Sequence, residues 1–506
     1  MTVDYIVIGS GSGGAAVTRR LVDAGAEVSL IEAGPPGFGV AEIEDPTRWV
    51  PLAKTRWDWG HDYAPTPRVL DRVIPIPRGK VLGGSGSTNA MMWYRGHPAD
   101  YDRWNAVAPG WSWADCLPAF RKCEDWEGGA SDLRGAGGPL KISRSPDLHP
   151  VAAALIDAAG EAGVPRIDDA NGPSNEGAAP SNFNIWQGRR WTPADGYLSP
   201  ILNAPNLLLF TESLAVRLVL DGDRAVGVVH RVGADEVTTR ARRGVVLCGG
   251  AIETPRLLIL SGIGPEADLA RLGIAPQVIA PAVGDNLQDH PLCRAVNARA
   301  RAPLPPPRDN GGGSILNWKS DSALAQPDLH AFPVAGRSGV PAVVDRYALS
   351  GDLFAIGAGL MWSHSRGRLT VLSTDPEAPL DIQPNYLADP RDLTALCHAV
   401  EFVQGLLESA AFAPLFAGHA APDRRLSGKA TEDFVRLSCS TFFHTCGTAR
   451  MGSDADAVCS PRLAVNGLRG LWIADASVIP EIPTCNTHAP VTMIGERAAG
   501  FILEEP

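Results

Sequence analysis

The chain has 506 residues, a net charge of −11, 45% hydrophobic residues and 20% charged residues. That length exceeds what one hydrophobic core serves and sets an expectation of about three domains. The acidic balance, spread without long runs of one sign, argues against nucleic acid and anionic membrane as partners.

The opening "MTVDYIVIGSGSGG" lacks a basic segment followed by a long apolar one, so a secretory signal is not expected. No window approaches the ~18 uncharged apolar residues of a membrane span. Nine scattered cysteines form no Cys-x-x-Cys pair, so neither a metal site nor a disulfide framework is indicated. The expected location is the reducing cytoplasm.

Residues 5–8 form a short branched run, the pattern of a buried parallel strand. "GSGSGG" follows at once and sets Gly9, Gly11 and Gly14 in G-x-G-x-x-G register, with Ser12 and Gly13 in the same turn. Val17, Leu21 and Ala24 then recur at helical spacing until Gly25, a suitable helix terminator. A second strand over Val28–Ile31 ends in Glu32. Gly9 permits the tight turn, Gly11 lets backbone approach a pyrophosphate, and Gly14 lets the helix sit close to the strand. The helix start offers unpaired N–H groups to phosphate, and Glu32 can accept from ribose hydroxyls. The pattern implies a dinucleotide and leaves NAD and FAD equally open.

Three later stretches extend the pattern: "GKVLGGSGSTNAMMWYRGHPADYDRW" (79–104), "GAIETPRLLILSGIG" (250–264), and the pair "TFFHTCGTARMG" and "PTCNTHAPVTMIG" near the C-terminus. In the second, a helix is expected to open at Pro255 after a strand over 245–247. The proline-rich "RAPLPPPRDNGGGS" (301–314) reads as an exposed loop able to serve as a lid.

Taken in order, these stretches resemble the glucose–methanol–choline (GMC) oxidoreductases, FAD enzymes that oxidise alcohols. The resemblance runs from Tyr5 to about Ile502 and includes "HSRGRLTVLSTDPEAPLDIQPNYLADPRDL" (364–393). It implies an α/β plus α+β architecture: a Rossmann-like FAD-binding domain with a discontinuous substrate-binding domain of antiparallel sheet and helices. The FAD domain would take 1–150, 200–295 and 435–506, leaving 151–199 and 296–434 to the substrate side.

The same resemblance places Gly83, Gly84, Asn89, Ala90, Met91 and Met92 along the flavin. It places Val216 at the adenine and Asp475, with Ala476, near the ribityl–phosphate portion. Relatives that tether FAD through a histidine carry it where this chain has Thr88, so the resemblance implies noncovalent FAD.

Among eleven histidines, His444 and His488 match the family's catalytic pair. Alcohol oxidation removes a proton from oxygen and a hydride from carbon. Flavin accepts the hydride, and an imidazole titrates near the pH at which the proton must leave. His444 is expected to be the base and His488 the positioning partner, with shared or reversed roles left open. Pro490 suits the first turn of a helix through Met493, Ile494 and Ala498, whose start would place His488, Ala489 and Pro490 at the flavin's pyrimidine edge. His290, in "GDNLQDHPLC", reads as a structural hydrogen-bonding residue. Phe443 is expected to shape oxygen or substrate access, and Trp93 and Phe442 to wall the pocket.

The expected activity is FAD-dependent oxidation of a small-molecule alcohol, with oxygen or another acceptor reoxidising the flavin. A hydroxynitrile-type lyase and an NAD-dependent dehydrogenase are the alternatives. Sugars and aryl or heteroaryl alcohols are favoured, and no acidic cluster suggests a quaternary ammonium such as choline.

Overall fold

The branched run ahead of the glycines extends over Thr2–Ile8, and its last four residues are wholly buried in a computed structural model that describes residues 1–145 and 147–505. It pairs in parallel with Val28–Ile31 on one side and with the end of Asp235–Leu247 on the other. Leu207–Phe210 extends the sheet beyond Val28–Ile31, and Leu471–Ile473 beyond Asp235–Leu247, also in parallel. A sheet covered on both faces calls for continuous apolar strands, which Val28–Ile31 and residues 245–247 supply. The first half of Asp235–Leu247 is handed to an antiparallel meander with Ala215–Asp221 and Arg224–Val232.

Because the chain leaves Thr2–Ile8 to one side and later returns on the other, a crevice opens at the carboxyl ends of these strands. Helix Ser12–Asp23 starts there, and Gly25 terminates it in the left-handed region with φ +84°. The C-terminal helix His488–Glu504 crosses it at close range. A Cβ on Gly495 would stand 2.8 Å from the Gly13 Cα, so only glycine allows that approach.

A second sheet is antiparallel throughout, in the order Phe416–Ala421, Pro291–Ala300, Leu353–Leu360, Leu329–Val334, Ser314–Trp318 and Gly177–Pro180. Cys439–Thr441 pairs beside the start of Pro291–Ala300. Helices Pro150–Glu161 and Pro390–Leu407 pack on this sheet. The Rossmann-like sheet and the antiparallel sheet with helices match the expected fold class. Pro291–Ala300 belongs to the second sheet along its whole length and spans the expected boundary at 295. No helix among the described residues is long and apolar enough to cross a membrane.

The helix expected to open at Pro255 instead spans Gly250–Leu260, with the proline inside it. A proline in a helix interior strips the carbonyl four residues back of its donor. Here that carbonyl, on Ala251, accepts from Thr448 Oγ1 at 2.7 Å, so a tertiary contact replaces the missing helical bond. Thr448→Val should leave this buried carbonyl unpaired, cost about 1–3 kcal/mol and lower the thermal unfolding midpoint. Thr448→Ser should keep the midpoint near wild type.

Candidate active site

One cavity of about 670 Å³ runs from the glycine turn to the second sheet. At its closed end lie Gly9, Gly11, Ser12, Gly13 and Glu32. Cβ atoms on Gly13 and Gly14 would overlap the carbonyl oxygens of Ala474 and Gly9, so those glycines serve packing. Gly11 differs: a Cβ there would meet no protein atom within 4 Å, which leaves open space where a ligand can approach the backbone. Helix Ser12–Asp23 has Gly11 as its N-cap with no side-chain cap, so its first N–H groups lack side-chain partners.

Glu32 is 4% exposed and accepts from Ser10 N at 3.0 Å, Ser10 Oγ at 2.6 Å and Gly34 N at 2.8 Å. Burial raises its pKa, against the lowering effect of those bonds. Asp475, at the end of Leu471–Ile473, accepts from Gly250 N, Thr254 Oγ1, Ser477 N and Ser477 Oγ at 2.6–2.9 Å. It joins the starts of two elements at the cavity wall, where Ala476 also lies. Val216 does not line the cavity, although Ser213, Leu214 and Ala215 do. It is the extra residue of a bulge between Ala215 and Arg217, which takes its backbone out of the ladder.

In the segment after the double glycine, Gly84, Thr88, Asn89, Ala90 and Met92 line the cavity, while Gly83 and Met91 sit behind it. Asn89 Oδ1 accepts from Met91 N at 2.8 Å, which closes a turn and holds Met91 at φ +61°. The buried Arg190 guanidinium donates to the Asn89 backbone oxygen and, from Nε, to Ile43 O at 2.8 Å. Burial, only partly offset by the charge of Asp45, pushes Arg190 down to about 9.

His488 begins the C-terminal helix, which has Thr487 as N-cap and again no side-chain cap. Its Nδ1 lies 2.7 Å from Ser12 Oγ, and its Nε2 is buried without a partner. Burial, then the Arg190 charge, lowers its pKa to about 4. Ala489 and Pro490 are buried and do not line the cavity, so the helix start reaches it through Thr487, His488 and Val491. Trp93 corrects an expectation: it is 0% exposed and not in the wall. Its ring stands edge-on to His488 at 5.3 Å and its Nε1 donates to Glu124 at 3.1 Å, so it backs the histidine instead.

His444 follows Cys439–Thr441 and faces the same cavity. Its Nδ1 is 2.9 Å from His290 Nδ1, so the hydrogen bond expected of His290 has His444 as its partner. Asn486 Nδ2 lies 3.1 Å from His444 Nε2 and can only donate. In this arrangement Nε2 carries the lone pair and Nδ1 the proton given to His290. Burial, then the neighbouring His290, lowers His444 well below 6.5, and burial takes His290 to about 3. Asp289 holds the group together. It accepts from the backbone N–H groups of His290 and His444 at 2.8 Å each, and from Tyr63, Tyr386 and Thr441 at 2.5–2.7 Å.

Phe442 and Phe443 do line the cavity. Phe442 stacks on the His444 ring at 4.9 Å, and Phe443 is held at φ +67°, an uncommon conformation for a bulky residue. The 301–314 loop contributes Pro307, Asn310, Gly311 and Gly312 to the wall.

Asn486, Asp289, Arg190 and Arg294 were not singled out from sequence. Asn486 is two residues from His488 and Asp289 is next to His290, so proximity to a candidate was the available signal. A lone arginine in the apolar run "PLCRAV" was the signal for Arg294.

Two uncapped helix starts, an open glycine and a buried acid on one elongated cavity fit an adenine dinucleotide ending at the histidines. Comparison with known proteins agrees. Family models described as GMC oxidoreductase match residues 3–292 and 363–495. The oxygen-dependent choline dehydrogenase of Brucella melitensis is 36% identical, over 99% of this chain and 96% of its own length. A crystal structure of pyridoxine 4-oxidase from "Mesorbium loti" superposes with a TM-score of 0.94 at 31% identity, covering 98% of each chain. Formate oxidase of Aspergillus oryzae, studied for its FAD modification, superposes at 0.90 with 27% identity, covering 100% of this chain and 98% of its own.

The fold and cavity define a flavoprotein oxidoreductase acting on alcohols. The chain belongs to the GMC oxidoreductases, and its dinucleotide is FAD, which the glycine turn alone left open.

Gly11→Ala should leave the apoprotein's unfolding midpoint within about 1 °C, because its Cβ meets no protein atom, while weakening FAD binding more than about tenfold. Gly14→Ala should instead destabilise the apoprotein itself. Scanning calorimetry and flavin titration of apoprotein separate the two effects.

Proposed function

We propose that the protein oxidises an alcohol to a carbonyl compound, with His444 as base and His488 holding the alcohol oxygen. When bound, FAD supplies the acceptor for the hydride of the carbinol carbon, at flavin N5. The observation that carries this reading is the buried, unpartnered His488 Nε2 in the same cavity as a neutral His444.

Asn486 keeps the lone pair of His444 on Nε2, and a substrate hydroxyl that replaces the 3.1 Å amide contact presents its proton to that nitrogen. Proton loss to a positioned base of this kind is worth about 10²–10⁴-fold. On the other side, with Ser12 Oγ as donor across its 2.7 Å contact with His488 Nδ1, Nε2 carries the proton and can donate to the oxygen as charge develops there. Trp93 behind the ring and the rigid helix fix that donor. His290 and Asp289 fix the base.

The FAD side is assigned to 1–150, 200–295 and 435–506, apart from the residues of Pro291–Ala300 and Cys439–Thr441 that join the second sheet, with Val216 offering its bulged backbone to adenine and Asp475 near the ribityl chain. Thr88 lines the cavity and has no imidazole to tether the ring, which supports noncovalent FAD. Acid precipitation should release all of the flavin. The substrate is assigned to the aryl, heteroaryl or sugar alcohols, and the acceptor is oxygen or another oxidant.

Rapid mixing with alcohols under anaerobic conditions tests the chemistry. His444→Ala should slow flavin bleaching by at least about 10²-fold and abolish its acid limb, while His488→Ala slows it and keeps the limb. The opposite pattern would assign the base to His488.

Both histidines have lowered pKa values, so they stay neutral until the pH falls well under 6.5. The wild-type kcat/KM profile should therefore hold through pH 6.5 and fall only in more acid solution. An acid limb at or above 6.5 would contradict the buried pair.

A further inference from the structure

The acids that line the cavity are already engaged. Glu32 and Asp475 are bonded as described, Asp58 accepts from the backbone of Lys54 and Arg78 at 2.7 Å each, and Glu253 meets His61 at 2.8 Å and Arg256 at 3.3 Å. The wall built by the second sheet is different. Among the described residues, its strands Pro291–Ala300 and Leu329–Val334 and the following loop bring no carboxylate to the cavity, but they do bring Arg294 and Arg337.

Arg294 lies on the strand that starts beside His290, and Leu292 and Arg294 alternate onto the cavity side. Burial alone lowers its pKa, and no neighbouring acid offsets that loss. Its guanidinium carbon lies 5.8 Å from the Phe443 ring centroid. Arg134, by contrast, meets Glu124 at 3.0 Å and Asp169 at 2.6 Å, and the unpaired Arg190 at least donates to two backbone carbonyls. Arg294 is half-buried on the cavity wall, and a cation withdrawn from water there with no counter-ion is costly, so a site that keeps one has a use for it.

Arg337 is exposed at the mouth, on a segment tied to the same strand. Ser338 N donates to Asn297 Oδ1 at 3.0 Å, and Asn297 Nδ2 donates to Ser338 O at 2.7 Å. Between the arginines and His444 the wall is aromatic. Phe332 and Phe442 lie 5.4 Å apart, and Cβ atoms on Gly357 and Gly359 would fall within 2.6 Å of those rings. The missing side chains therefore make room for an aromatic shelf in which Phe332 is tilted 52° to Phe442 and Phe442 stacks on His444.

We infer that the substrate is an aromatic alcohol bearing an oxyanion, carboxylate or phosphate, held by Arg294 while the shelf seats its ring. The inference rests on the alcohol-oxidising reading above and narrows it. Quaternary ammonium alcohols are disfavoured at this wall, although choline dehydrogenases are among the curated relatives.

The test compares 4-(hydroxymethyl)benzoate, 4-(hydroxymethyl)phenyl phosphate, the neutral 4-methylbenzyl alcohol and choline on wild-type holoenzyme, Arg294→Met and Arg294→Lys. Wild type should favour one of the anions over the neutral alcohol by at least about tenfold in kcat/KM, and the preferred anion identifies the oxyanion. Arg294→Met should erase that preference, with an unchanged flavin content and unfolding midpoint certifying its fold, and Arg294→Lys should restore part of it. Equal loss for neutral and anionic alcohols in Arg294→Met, or a wild type that prefers choline or shows no preference, overturns the inference. Titration with non-reacting 4-methylbenzoate, read by the flavin spectrum, keeps the two claims apart. If no alcohol is oxidised but this anion binds wild type and not Arg294→Met, the alcohol reading fails and the anion site stands. Equal binding to both proteins removes the site.

Discussion

The site depends on the crossing of two helices that lie at opposite ends of the chain. Helix Ser12–Asp23 carries the nucleotide turn and helix His488–Glu504 carries a proposed catalytic imidazole; Gly13 and Gly495 let their backbones meet. Glu496, which has 1% side-chain exposure, locks the crossing by accepting from Arg20 at 2.7 Å, Lys122 at 2.9 Å and Tyr197 at 2.9 Å. Burial alone would raise its pKa, and the Arg20 and Lys122 partners outweigh that, so the carboxyl stays charged. The 2.7 Å contact of Ser12 with His488 is the functional result. Any shift that loosens the helix crossing also moves His488, the proposed donor to the alcohol oxygen.

The second sheet carries the other half. Asp289 stands at the entry to Pro291–Ala300 and gathers two backbone N–H groups and three hydroxyls, so His290 and His444 are held by a network with no slack. Burial keeps all three imidazoles uncharged near neutral pH, which suits the proposed base but would destabilise a cation formed on it. The arrangement therefore favours handing the proton on promptly. Arg294, farther along the same strand, adds a positive charge to a wall that also carries Arg337 and to which this sheet brings no carboxylate among the described residues.

Much of the nucleotide end was legible because its physics is local. Gly9, Gly11, Gly14 and Glu32 act through turns and strand ends a few residues long, and the structure puts three of them on the cavity wall as read. His444 and His488 were legible through stretches resembling a known family. What escaped depends on distant partners. The helix start at Gly250 was hidden because Thr448 compensates for Pro255 from another part of the chain. Trp93 looked like a wall residue, but its need for Glu124 draws it behind His488. Arg190 and Arg294 gave little signal, since an arginine in an apolar run becomes informative only when the sheet shows which acids are absent around it.

The central claim is that the two imidazoles meet on one alcohol oxygen. A crystal structure of anaerobically reduced holoenzyme with an alcohol bound tests it most directly, because the reduced enzyme cannot turn that alcohol over. The account requires the hydroxyl oxygen within about 3 Å of both His444 Nε2 and His488 Nε2, with the Asn486 amide displaced. An alcohol seated elsewhere in the cavity, or touching neither imidazole, would contradict it.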